Sequence, residues 1–346
     1  MIPYRTRRVL GKLGMTALVL LLFFAVVLLC WFLWLNRYVL YTRTGAVLDF
    51  GLSGEISGGE TAKPLTPGVE IDIYFKEGEN MILPENMELS KLSGICITQA
   101  MLESNPAGVQ AFVSALSADT PVMVDMKSIK GEFFYHTELG KNHPKIDPDA
   151  VEEIIAQLRK TNHYLIARVP ALRDYSFGLA NVNSGIFNPN QMSLWMDDKS
   201  CYWLNPKAQG TMTYLLQIGT ELQALGFDEV VFTDFEVPNA NIYFEGDKVQ
   251  AVCDLANTLV KSCATETFAV SFQRSAENFR LPDGRSRLYL ENVPASETGT
   301  VLEQLGLEKG ESRLVFLTEL MDTRFDEFSV LRPAPIPLKE KNTGNQ

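Results

Sequence analysis

Residues 205–238 read NPKAQGTMTYLLQIGTELQALGFDEVVFTDFEVP, and this stretch decides the fold. Asn205-Pro206 places a capping side chain before a proline at a first helical position. A helix is expected from there to about Leu225, and Gly226 is its stop signal. A short apolar strand, Glu229–Phe235, comes almost at once. One helix thus hands over to one strand through a short loop, which is half of a repeating β-α unit.

The pattern repeats along the chain. Further strand candidates are Val69–Phe75, Gly94–Thr98, Val122–Met126, Tyr164–Val169, Phe268–Phe272, Arg287–Glu291 and Arg313–Thr318. Most are short runs of Val, Ile, Leu and Phe, as strands buried on both faces should be. Asn105-Pro106 and Asp147-Pro148 repeat the helix-start signal, and Val249–Lys261 and Glu297–Leu305 are amphipathic helices. Such alternation means a parallel sheet covered by helices. No GxGxxG or GxxxxGK[ST] follows a strand, which removes the usual nucleotide-binding open sheets. The span 69–332 is close to the roughly 250 residues of a (β/α)8 barrel. The expected fold is therefore α/β, an irregular TIM-barrel-like (β/α)8 domain. Its eighth strand is either Val69–Phe75 or a piece near Phe328–Leu331.

The N-terminus is of another kind. Met15–Leu35, MTALVLLLFFAVVLLCWFLWL, contains no charged residue. As a helix it is long enough to cross a hydrocarbon core of roughly 30 Å. Arg5, Arg7, Arg8 and Lys12 precede it, and Arg37 and Arg43 come after it, which favours an N-in, C-out orientation. A cleaved signal peptide would have a shorter apolar region and a small-residue cleavage site. The expected organisation is a basic cytoplasmic segment at 1–14, a transmembrane helix at 15–35, a Gly/Pro-rich linker at 36–68, the barrel at 69–332 and a flexible tail at 333–346. The barrel would then lie outside the cytoplasm, on a single-pass membrane protein.

Composition narrows the function. The net charge is −11, yet residues 1–43 hold no acid, so the acidic excess lies wholly beyond residue 43. A nucleic-acid binder would normally show a basic stripe, so no nucleic-acid partner is expected. The three histidines, His136, His143 and His163, have no HxH or HxxxH spacing, and no CxxC is present. No metal and no cofactor are expected. Nor is there a G-x-S-x-G elbow.

Four segments carry a resemblance. Asp125-Met126-Lys127, with Gly131 and Tyr135 after it, resembles a D-x-K-x-x-x-G-x-x-x-Y stretch. Ala167-Arg168-Val169 with Arg173-Asp174 resembles A-R-I…K-D, and Trp203-Leu204-Asn205-Pro206 resembles W-x-N-P. Gly226–Phe232 is similar to G-F-D-E-I-Q-F. These motifs, in this order, resemble a family of glycoside-hydrolase-like (β/α)8 barrels of bacterial exported and membrane-anchored proteins. The resemblance covers about Gly94 to Pro238. It departs at the fourth strand, where the family continues F-D-Y-I-R-F-P. Aligned without a gap, the family's acid falls on Thr233, its tyrosine on Asp234 and its arginine on Glu236. Either the strand has slipped by one residue or the site has been rebuilt.

Glycoside hydrolysis needs two carboxyl groups, one as acid and one as base or nucleophile. Asp234 and Glu236 share parity on one strand, so both could face the barrel mouth. The expected catalytic set is Asp234 with Glu291, and Glu236 as alternative acid. The competing reading is that these acids cap strand ends or pair with Arg168, Arg274 and Lys127. Asp125, Lys127, Arg168, Asp174 and Trp203 are the expected substrate-binding residues. For Asp125, Lys127 and Arg168 the alternative is a buried ion-pair network. The expected function is a membrane-anchored, diverged glycoside-hydrolase-like domain acting on or binding a cell-wall or capsular glycan. The alternative is a non-catalytic envelope scaffold or binding protein on a degenerate barrel.

Overall fold

The computed structural model describes residues 39–42, 45–48, 89–189, 193–273, 279–307 and 310–338. The chain divides into two compact units, Met1–Gly78 and Glu79–Gln346. In the first, Val39–Thr42 and Gly45–Leu48 pair as a short antiparallel ladder within the stretch expected as a linker. Among the described residues no helix is long and apolar enough to cross a membrane. The expected span at 15–35 and the strand candidate Val69–Phe75 lie outside the described residues.

The second unit is a closed barrel of eight parallel strands. In chain order they are β1 (Ser93–Ile97), β2 (Val122–Asp125), β3 (Leu165–Pro170), β4 (Glu229–Thr233), β5 (Ala269–Gln273), β6 (Leu288–Glu291), β7 (Leu314–Leu317) and β8 (Ser329–Pro333). Each pairs with the next, and β8 closes the ring on β1 with Leu331 opposite Gly94. The eighth strand is therefore the candidate near Phe328–Leu331. The expected tail begins inside the fold: Ala334 and Ile336 are buried, and Ala334 N donates to Cys96 O at 2.9 Å.

Helices cover the ring unevenly. Asn105 accepts from Gly108 N, and Pro106 starts the helix Pro106–Ser114. Asp147 accepts from Asp149 N before Pro148–Lys160 in the same way. Asn205 behaves otherwise: its side chain accepts from Lys207 N at 2.9 Å, closing a turn, and the helix begins only at Gln209. That helix ends at Leu225 with Gly226 left-handed at φ 95°, where an added Cβ would collide with the Arg159 guanidinium. Lys248–Cys263 and Thr298–Leu305 come after β4 and β6. Among the described residues no helix joins β5 to β6, and a 3-10 turn, Thr323–Glu327, joins β7 to β8. The barrel is irregular for these two reasons.

Strand pleating sorts the side chains. Cys96, Met123, Ile166, Val231, Tyr289, Val315 and Leu331 pack together as the filling of the barrel. Their neighbours along each strand join the larger core against the helices. At the end where the strands begin, Glu229 and Arg287 form an ion pair with both side chains fully buried. Tyr289 Oη donates to Glu229 Oε1 at 3.0 Å, and Tyr164 Oη to Oε2 at 3.0 Å. This polar floor leaves the opposite end, where the strands finish, to hold a site.

Candidate active site

The strand C-termini surround a cleft of roughly 390 Å3. Its lining is mainly polar, with Gln99, Asp125, Arg168, Asp234, Gln273 and Glu291 among the contributors. Different strands, or the turns after them, supply these side chains, so closing the barrel is what assembles them.

One wall is a charged clamp. Arg168 on β3 donates through Nε to Asp125 Oδ1 and through Nη2 to Asp125 Oδ2, the latter at 3.1 Å. The register explains it, because Asp125 and Arg168 are direct partners across β2 and β3. Nη1 reaches across the mouth to Glu291 Oε1 at 3.1 Å. Gln99 N donates to Asp125 Oδ2 at 2.7 Å. A forked guanidinium and a backbone N–H thus fix both oxygens of the Asp125 carboxylate in place. Cys96 lies within the barrel, and burial pushes its thiol up to about 12, so it supplies no thiolate nucleophile.

The other wall is built around Asp234. The strand ends at Thr233, and Asp234 is left-handed at φ 46°. Short polar side chains tolerate that region better than most. Asn292, directly after Glu291, is left-handed as well at φ 58°. Both strand ends that bring a carboxylate to this side of the cleft thus turn sharply, the kind of backbone that clusters at functional sites. Thr233 Oγ1 donates to Asp234 Oδ2 at 3.3 Å, and Arg173 Nη1 stands 3.6 Å from Oδ1. Burial pushes the Asp234 carboxyl above its ordinary value, and Arg173, the Thr233 hydroxyl, Lys127 and Lys199 offset this only in part.

The fourth strand keeps a regular pleat. Glu229 bonds within the floor, Val231 fills the barrel and Thr233 lines the cleft, so the inward parity runs unbroken to Thr233. Thr233 is thus the last inward-facing residue of this strand. Asp234 reaches the same cleft by the turn after the strand.

Other expected residues sit elsewhere. Glu236 is half-buried and does not line the cleft. Lys127 contributes to the lining, but its Nζ is buried, 2.7 Å from Asp174 Oδ2, and donates to Pro170 O at 2.7 Å. Asp174 is fully buried, accepts from Tyr214 Oη at 2.8 Å and caps the short helix Tyr175–Ala180. Gly131 is left-handed at φ 76° against Asp174, where a Cβ would collide with Oδ1. The spacing from Asp125 to Gly131 therefore has a packing reason. Trp203 is buried with the Arg173 guanidinium over its ring at 5.7 Å. Sequence reasoning missed Gln99 and the role of Arg173, whereas Gln273 was legible as a polar residue ending an apolar strand. Arg173 carried a signal only as the neighbour of Asp174 in a motif.

Residues 94–262 match a family described as "Putative glycosyl hydrolase domain". That match and the closed ring of eight parallel strands together support a glycoside-hydrolase-like barrel family. Solved structures are similar to parts of the chain. A hypothetical protein from Ruminiclostridium thermocellum is 18% identical over 51% of this chain and 96% of its own, with a TM-score of 0.44. The galactosidase domain of an alpha-galactosidase-sucrose kinase is 11% identical over 72% of this chain and 38% of its own, at 0.50. A GH20 exo-beta-N-acetylglucosaminidase from Vibrio harveyi is 10% identical over 66% of this chain and 41% of its own, at 0.48. The chain thus spans about two-fifths of each of these last two proteins. At such identities the likeness is one of fold alone. No curated protein matches the chain.

Proposed function

We propose that this chain is a membrane-anchored, glycoside-hydrolase-like domain that binds an extracytoplasmic cell-wall or capsular glycan in the cleft and hydrolyses it. One observation carries the reading. Asp234 and Glu291 come from β4 and β6 to one cleft, and burial lifts the Asp234 carboxyl towards its protonated form. A raised carboxyl suits a general acid that protonates the leaving glycosidic oxygen. Glu291, which accepts from Arg168, is the partner that acts as base or nucleophile. Arg168 and Asp125 supply a fixed donor and acceptor array for sugar hydroxyls. The family match supports the carbohydrate class.

A second reading is binding without turnover. It is favoured by Thr233 standing where the resemblance places an acid. One experiment separates the two. The chain from Thr61 onward is incubated with bacterial cell-wall and capsular glycans, and reducing-end release and binding are both measured. Hydrolysis predicts release that falls by about 100-fold or more in Asp234→Asn. Binding that persists without release in the unmodified protein makes the domain a glycan-binding one.

The anchoring rests on the uncharged 21 residues from Met15 to Leu35 and the basic residues before them. A reporter active only outside the cytoplasm, fused at Gly344, should give signal. Signal from a cytoplasm-only reporter at the same place would overturn the orientation.

A further inference from the structure

The loop between β3 and the helix Gln209–Leu225 holds a second acid that approaches the cleft only through Arg173. Asp197 pairs with Arg173 Nη2, and both side chains are nearly buried, at 7% and 11% exposure. Asp197 is itself heavily fixed. Its Oδ1 accepts from Lys199 N at 3.0 Å and Cys201 N at 2.9 Å, and its Oδ2 from Trp203 Nε1 at 3.0 Å. Burial alone would raise this carboxyl, but the Cys201 and Trp203 N–H groups and Arg173 outweigh it and hold it below its ordinary value. Its partners favour the ionised form. Arg173 also lies over the Trp203 ring, and its backbone is bridged to Trp203. Asp234 receives only the other amino group, at 3.6 Å.

The guanidinium therefore has two acid neighbours, and the closer one takes it. We propose that Asp197, braced by Trp203, is a positioning residue that holds Arg173 back from Asp234 and so leaves Asp234 able to carry a proton. The proposal rests on the reading of Asp234 as the acid and adds what keeps it one. Among the described residues, the groups that face Asp234 are few. Thr233 comes from β4, Arg173 and Lys199 from the β3 loop, and Lys127 from the turn after β2. Asp125 and Glu291 line the same cleft but are turned to Arg168. Asp198 is 3.8 Å from Arg173 and 89% exposed, so it cannot replace Asp197 as a fixed counter-charge.

Two substitutions should move Asp234 in opposite directions. Asp197→Asn removes the competing charge and frees the guanidinium to close on Asp234. The Asp234 titration, followed by carbon NMR of the labelled carboxyl, should fall by about one pH unit or more. Arg173→Met removes the guanidinium, and the same titration should rise. If a hydrolysed glycan is in hand, the alkaline limb of the pH–rate profile should shift with the NMR value in each variant. The NMR readout does not need turnover, so it stands even if no glycan is cleaved. Should Asp197→Asn not fold, Trp203→Phe removes a single N–H from Asp197 and should give a smaller fall. An Asp234 titration that is unchanged, or that moves the same way in Asp197→Asn and Arg173→Met, would overturn the proposal.

Discussion

The two ends of the barrel are made from the same residue types and use them differently. At the floor, Arg287 donates to Ser312 O at 2.9 Å, Ser90 O at 2.8 Å and Tyr164 Oη at 3.1 Å, besides its pairing with Glu229. Glu229 accepts from two tyrosines and the guanidinium. The protein itself satisfies this buried pair from several sides. At the mouth, Arg173 Nε has no partner among the described residues, Asp234 sits on a left-handed turn and Glu291 is 42% exposed on its side chain. A saturated network specifies a fold; an incompletely satisfied one has capacity for a ligand. The division agrees with how barrels separate stability at one face from chemistry at the other.

The largest effect that could break this contrast is at the floor. Arg287→Met leaves Glu229 buried with two tyrosine hydroxyls and no countercharge. Denaturant unfolding should show a loss of about 3–5 kcal/mol, the usual cost of removing one partner of a buried pair. A loss below about 1 kcal/mol would mean water or neighbouring groups already compensate Glu229, and the floor would not differ in kind from the mouth.

The same contrast separates what the sequence displays from what it conceals. Strands buried on both faces must be apolar, so Val122–Met126 and Arg313–Thr318 were legible to within a residue or two of β2 and β7. The polar strand ends were legible too, because Asp125, Arg168 and Glu291 break apolar runs. Asp234 and Glu236 show where such reading stops. Counting parity along Glu229–Phe235 assumes extended backbone, but the strand ends at Thr233 and the left-handed turn at Asp234 breaks the count. Glu236 is carried out of the cleft as a result. Asp197 was hidden for another reason: it meets Arg173 only through the folding of a long loop, and no local spacing encodes that contact. The floor could have been anticipated. An acid opening an apolar strand at Glu229 and a base opening another at Arg287 each demand a buried partner.

The smallest effect sharpens the comparison at the mouth, through the pH dependence of folding. Burial raises Asp234 above the 3.8 of a free aspartate. An acid that holds its proton more tightly when folded stabilises the fold below its unfolded value. It loses that contribution as pH rises through the folded value. Asp234→Asn does not titrate there, and an asparagine tolerates the left-handed backbone. The variant should therefore keep a constant offset from the parent protein well below the free-aspartate value of 3.8, gain on it as pH rises through the folded value and level off above that, as read from urea unfolding. The gain is small beside the Arg287 effect because Arg173, Thr233 and Lys127 already offset part of the burial. A variant that instead loses ground as pH rises would show that ionised Asp234 stabilises the fold through Arg173. The mouth would then be a second structural ion-pair network like the floor, and Asp234 would lose its standing as the acid.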